Sequence, residues 1–344
     1  MRRWVVGVLV PVFAVIGQVA VAGVVEECRE GSPTVGRVSA CTEIVKSSSF
    51  KPDDKALAYA SRGEAHADAG ADRQALADFT ESIRLKKDNS SAFAGRGRAK
   101  FALGNLHGSI ADFNEAIRLS PVYADLYVQR GHVYRVLDQP DPAIRDFTEA
   151  LRLVPGDWSA LNERGLANSE KGDLITAEGK YDAAQKYYSA ALDDLTAAIA
   201  IVPHPIFYGN RGYLLESQGK TEDAIKDFKQ ALLGDPSLVD AKRALERLGG
   251  SEPAATDSDE LVRKGKALAE KNCGGCHGLG AAGVSLNKDA TAFQNIFREH
   301  KLYALRRPVT QAILAAHEKM PQFNISSQDV DTIVAYINSF STGR

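Results

Sequence analysis

Methionine is nearly missing from this 344-residue chain: there are two, and one is the first residue. A chain that fills its core without methionine, yet sets Met320 before Pro321 in a loop, has a use for that sulfur other than soft packing. Charge of one sign is missing as well. Lys and Arg number 42 against 44 Asp and Glu, a formal charge of −2, and this balance excludes nucleic acid as the main partner. No run of alternating residues is long enough to make a sheet, so helical periodicity leaves an all-α chain. Cysteine is sparse: Cys28, Cys41, Cys273 and Cys276 are the whole supply. The first pair lies more than 200 residues from the second, which leaves a four-ligand zinc site without its ligands.

What is present is concentrated. Cys273-Gly274-Gly275-Cys276-His277 is followed 43 positions after His277 by Met320-Pro321. Two thiols three positions apart can each add to one vinyl group of a porphyrin, and the next residue then offers its imidazole to the iron. A thioether from a distant loop closes the opposite face and raises the reduction potential relative to two imidazoles. The reading is therefore one covalent haem c held by Cys273, Cys276, His277 and Met320, with His277 and Met320 on the metal and no open position. His300 and His317 are the alternative axial ligands. A thioredoxin-like dithiol would need a βαβ setting, and the pattern around Cys273 is helical.

From about 259 to 344 the chain resembles a small mono-haem cytochrome c of the Met/His type. The matching pieces are Gly265, the Cys273-x-x-Cys276-His277 stretch, His317 to Phe323 around Met320, and a closing segment from Asp329 to Phe340. The resemblance implies first and last helices that cross closely, with Gly265 admitting Tyr336. Val330, Ile333, Val334 and Ile337 recur at helical spacing and make one apolar stripe. One departure concerns the second ligand shell, where a family proline carbonyl accepts the proximal imidazole N–H. The corresponding region reads Asp289-Ala290-Thr291-Ala292-Phe293, so a backbone carbonyl near Thr291 is the substitute. Lys266, Lys271, Lys288, Lys301, Arg306, Arg307 and Lys319 either ring a haem edge and steer an acidic partner or serve solubility.

The remainder repeats. Arg62-Gly63, Arg96-Gly97, Arg130-Gly131 and Arg164-Gly165 fall 34 residues apart, and Arg211-Gly212 follows after 47. Sixteen residues beyond each Arg stands an Asp with a large apolar neighbour: Asp78-Phe79, Asp112-Phe113, Asp146-Phe147 and Asp227-Phe228. In the fourth unit Asp194-Leu195 is delayed to thirty by about 14 extra residues. A period of 34 with two helical patterns per unit resembles the tetratricopeptide repeat (TPR). Ala75, Ser109, Ala143, Ala191 and Ala224 match its second-helix small position, and Pro121, Pro155, Pro203 and Pro236 end second helices. The usual early Trp is absent. The resemblance implies a helical solenoid with a concave face carrying Arg98, His132, Arg135, Asn162 and Tyr213, which takes a protein or peptide. The periodic arginines are structural, stacking or pairing between repeats.

These readings divide the chain as follows. Residues 1–22 form a secretory signal, with Arg2-Arg3, an apolar run and Ala20-Val21-Ala22; kept in place, the run from Trp4 to Val25 would instead anchor the chain in a membrane. Residues 26–55 form an N-terminal half-repeat cap, because Ser39 to Val45 echoes Ala77 to Ile83. Residues 56–248 hold five repeats, an insertion at about 177–190 that lengthens the fourth pair into an arm, and a closing cap helix from Asp240 to Leu248. Residues 249–258 are a linker of some 15–20 Å, and 259–344 the haem domain. Cys28 and Cys41, thirteen apart, are the thiols left after haem attachment. A periplasmic or otherwise exported location and a disulfide between them imply each other, against two buried free thiols. The function so read is one-electron transfer to a redox partner protein, with the repeats docking a partner. Two others stay open: a haem peroxidase or gas or redox sensor with a labile distal ligand, and a TPR scaffold whose haem is accessory.

Overall fold

The structure is a computed structural model that describes residues 23–29, 34–252, 255–272 and residues 332, 333 and 336. The signal segment, Cys273, Cys276, His277, His300, His317 and Met320 all lie outside the described residues. Every regular element among the described residues is an α-helix. The chain divides into two units, 1–155 and 156–344.

In the first unit a helical stretch, α1 (described over residues 23–29), precedes α2 (Thr34–Lys46). Three helical hairpins follow: α3 (Pro52–Asp68) with α4 (Asp72–Leu85), α5 (Ser90–Ala102) with α6 (Leu106–Leu119), and α7 (Ala124–Val136) with α8 (Pro140–Leu153). The second unit holds α9 (Trp158–Ala177) with α10 (Tyr181–Ile201), α11 (Pro205–Ser217) with α12 (Thr221–Gly234), then α13 (Val239–Arg247) and α14 (Ala255–Asn272).

Local chemistry sets these bounds. Each first helix ends on a residue in the left-handed region: Gly70, Gly104, Gly179 and Gly219 at φ between 70° and 79°, and Asp138 at 54°. That conformation turns the chain back within a few residues, and Asp tolerates it better than most side chains. Asn89, Asn105, Asp157 and His204 cap the helices that follow them by accepting backbone N–H bonds, replacing partners that a helix start lacks. Four of the five second helices stop two residues before a proline: α6 at Leu119, α8 at Leu153, α10 at Ile201 and α12 at Gly234.

The hairpins close on one contact. The Phe79, Phe113, Phe147, Leu195 and Phe228 side chains are essentially fully buried. Each stands over the glycine of its own first helix, so that a Cβ added at Gly63, Gly97, Gly131, Gly165 or Gly212 would lie 2.8–3.2 Å from it. The second-helix small residues Ala75, Ser109, Ala143, Ala191 and Ala224 are wholly buried too. Ser109 is accommodated because its hydroxyl donates to the Gly97 carbonyl at 2.8 Å, which meets the requirement that a buried polar group find a partner.

Two boundaries differ from the sequence reading. The first repeat opens at Pro52, not 56, because Pro suits the first turn and Asp54 accepts from the Lys51 backbone N–H. Little of 249–258 is free linker. Gly249 ends α13 at φ 74°, the Gly250 N–H donates to the Leu245 carbonyl at 2.9 Å, and Lys242 pairs with Glu252 at 2.7 Å. Then α14 begins at Ala255, so residues 253 and 254 alone separate the described stretches. A flexible ten-residue tether is thus replaced by a helix cap, an ion pair and an early helix start. Among the described residues no helix is long and apolar enough to cross a membrane.

Candidate functional site

The haem donor set lies outside the described residues, but the ground it stands on does not. Helix α14 leads straight to Cys273. Its Gly265 meets Thr332 and Tyr336: a Cβ at 265 would overlap the Thr332 carbonyl and come within 2.9 Å of the Tyr336 Cβ. Only a residue without a side chain admits backbone that near. Ala269, Thr332, Ile333 and Tyr336 are buried around this contact, and burial pushes the Tyr336 phenol above its ordinary pKa. The donor set itself, two thiols and an adjacent imidazole at the end of a helix plus one remote thioether, fits a covalently held haem.

The repeats carry a second constellation, and it is structural. Arg62, Arg96, Arg130, Arg164 and Arg211 each grip the Asp of their own repeat through Nε and Nη2, at 2.6–2.8 Å. The carboxylates of Asp78, Asp112, Asp146, Asp194 and Asp227 are buried, and an unpaired carboxylate there would be costly. Hydrogen bonding to those carboxylates raises the pKa of Arg62, Arg164 and Arg211. The third nitrogen, Nη1, reaches the preceding second helix: Thr42 Oγ1 at 2.9 Å from Arg62, Asn114 Oδ1 at 2.6 Å from Arg130, and Thr196 Oγ1 at 3.2 Å from Arg211. Stacking completes the set, with Arg62 over Tyr59, Arg96 over Phe93, Arg130 over Tyr127 and Arg211 over Tyr208. Sequence reasoning found the arginines and missed the aromatic three residues before them, although that spacing was visible.

Residues assigned to the concave face have unequal roles. Arg98 is exposed on the wall of a groove of about 460 Å³ in the first unit, beside Leu57, Ala94, Tyr123 and Leu126. His132 instead packs edge-on against Phe101 at 5.4 Å, and Tyr213 against Phe228 at 4.9 Å. Asn162 is buried and accepts from the Asn210 amide at 2.9 Å, which ties two first helices of the second unit together. Cys28 and Cys41, both buried, have Cα atoms 4.7 Å apart and sulfurs within bonding distance.

Comparison with known families agrees with this geometry. A cytochrome c family model matches residues 262–341. TPR models match residues 97–135, 128–186 and 170–239. Residues 97–239 are tetratricopeptide repeats, and residues 262–341 are a cytochrome c domain. The cytochrome c family implies a covalently bound haem and electron transfer, and the TPR family implies binding of a protein or peptide. A curated relative, the heat-shock protein cognate co-chaperone sgt12 of Aspergillus fumigatus, is 34% identical over 84 residues, 24% of this chain and 24% of its own. The chain thus spans about a quarter of that relative's length. YrrB, a TPR protein with an unusual peptide-binding site, is 20% identical over 61% of this chain and 99% of its own, at a TM-score of 0.48. The crystal structure of MamA is 25% identical over 49% of this chain and 93% of its own, at 0.41. The first TPR of Spaghetti, bound to an HSP90 peptide, is 25% identical over 33% and 91%, at 0.33.

Proposed function

We propose that this TPR–cytochrome c chain is an exported electron carrier, in which a six-coordinate haem passes single electrons to a redox partner protein while the repeats dock a protein partner. The observation that carries this reading is the pairing in one chain of a cytochrome c domain at 262–341 with TPRs at 97–239. A haem so bound supplies reversible one-electron chemistry at its iron. The chain's own residues do the rest. Cys273 and Cys276 would hold the group covalently and His277 and Met320 would ligate its iron, while Gly265 with Tyr336 brings the opening and closing segments of the module together. Periplasmic location, removal of the leader and an oxidised Cys28–Cys41 pair belong to the same proposal, since an oxidising compartment is where such a pair persists.

The short connection between α13 and α14 supports a positional role for the repeats. A partner gripped by them is kept near the haem, and local concentration then favours transfer between otherwise transient partners. The test adds carbon monoxide to the reduced full chain and to Met320→Ala. The unmodified protein is expected to resist the gas, whereas the variant, with one axial position released, binds it with a shifted Soret band. Rapid stoichiometric binding by the unmodified protein would sink the carrier reading in favour of a sensor or peroxidase.

A further inference from the structure

Helix α2 has the position pattern of a second helix, and the helix before it is described over residues 23–29. The identity of its positions is settled by a hydrogen bond: Arg62 Nη1 donates to Thr42 Oγ1, as Arg130 does to Asn114 and Arg211 to Thr196. Asn114 directly follows Phe113, and Thr196 directly follows Leu195, the apolar residues that close their hairpins on glycine. Thr42 directly follows Cys41. Cys41 therefore occupies the closing position of the half-repeat, and its partner across the interface is Cys28 of α1, where a full repeat has its glycine.

We propose that the Cys28–Cys41 bond replaces the glycine–aromatic contact of the full repeats, so that the oxidation state of this pair decides whether the N-terminal end of the array is closed. Noncovalent contacts alone hold α1 poorly. Apart from the cysteine it offers the partly buried Val24 and Val25 to a small cluster of Ala40, Cys41, Ile44 and Ala58, and Arg37 Nε donates to the Cys28 carbonyl at a long 3.4 Å. Among the described residues the one aromatic side chain packed against this cluster is the partly buried Phe50, which comes from the connection after α2 and not from α1. When a dithiol reductant transfers two electrons and two protons, the S–S bond becomes two thiols, the reductant becomes a cyclic disulfide, and α1 loses its cross-link to α2. The face of α2 that bears Ala40, Cys41 and Ile44 is then uncovered.

The inference rests on the oxidised pair and not on the haem reading, and the test separates them. Amide exchange is followed by mass spectrometry on the full holoprotein, oxidised or treated with dithiothreitol, and on Cys28→Ala/Cys41→Ala. Protection in residues 34–46 is expected to fall about a hundred-fold on reduction, the factor that loop closure over thirteen residues implies. Residues 205–247 should keep theirs. The double variant should show the same loss with or without reductant, while its haem spectrum still responds to ascorbate. Unchanged protection in 34–46 after thiol labelling has verified reduction would overturn the proposal. So would a double variant as protected as the oxidised protein, because the cross-link would then be dispensable.

Discussion

An ordinary repeat and the extended fourth one solve the same packing problem with different lengths. In α5–α6, Gly97 stands over Phe113 and the chain turns at Gly104; in α9–α10, Gly165 stands over Leu195 and the turn is at Gly179. From glycine to turn is seven residues in the first case and fourteen in the second, and from turn to closing residue nine against sixteen. The insertion is therefore shared equally, seven residues to each helix. Seven residues are almost two full turns, so both helices keep their facing sides in phase while growing by about 10 Å. The added length repeats the closing rule: the buried Tyr188 ring stands over Gly172, and its hydroxyl donates to Asp173 at 2.8 Å and lies 3.0 Å from Thr176 Oγ1. A repeat thus lengthens without penalty when the increment matches the helical period and brings its own glycine and ring.

The comparison makes the closing residue the strongest point of each hairpin. Phe113→Ala should cost about 4 kcal/mol, as large aromatic truncations in full burial do. Leu195→Ala, which removes less volume and leaves the Gly172–Tyr188 contact in place, should cost about 3 kcal/mol. Urea denaturation of both variants measures the difference. A larger loss at Leu195 would show that the arm depends on the ordinary closing contact instead of supplementing it.

Next in size is the buried pair that both kinds of repeat share. Arg130→Met strands the Asp146 carboxylate in a site where it is nearly enclosed, and breaking a buried pair from one side costs about 3 kcal/mol. Removing both charges together, as Arg130→Met with Asp146→Leu, should recover most of that loss. Thermal melts of the two variants decide the matter. Equal destabilisation would mean that the ion pair contributes stability beyond mutual neutralisation.

Much of this was legible before any coordinates. The 34-residue period, the glycines, the Asp-Phe positions and the helix-ending prolines each follow from a constraint that allows few residue types, so they recur and can be counted. Pairings across turns were harder to see. The arginines looked like contacts between repeats, yet their two strongest bonds lie within one repeat, because sixteen residues separate two side chains that a hairpin brings face to face. The even split of the insertion was hidden for the same reason: its site in the alignment marks where identity lapses, whereas the helices fix only the distance from the turn at Gly179. Composition is ambiguous at Gly249-Gly250, which suits a flexible segment as well as the helix cap it forms.

The smallest expected effect is the sharpest test of the seven-plus-seven rule. Deleting residues 170–176 together with 184–190 takes equal lengths from both helices, keeps the Gly179 turn, and leaves Gly165 seven residues before it and Leu195 nine after. The shortened hairpin then matches α5–α6 position for position. It should melt within a few degrees of the parent, since the lost Gly172–Tyr188 contact is offset by the fourteen residues no longer ordered. Deleting only five residues from each helix turns their faces by about 140° relative to what remains, which should drive Leu195 off Gly165 and unfold the hairpin. If both deletions are equally tolerated, helical phase is not what permits the arm, and the resemblance between the long repeat and the short ones is one of composition alone.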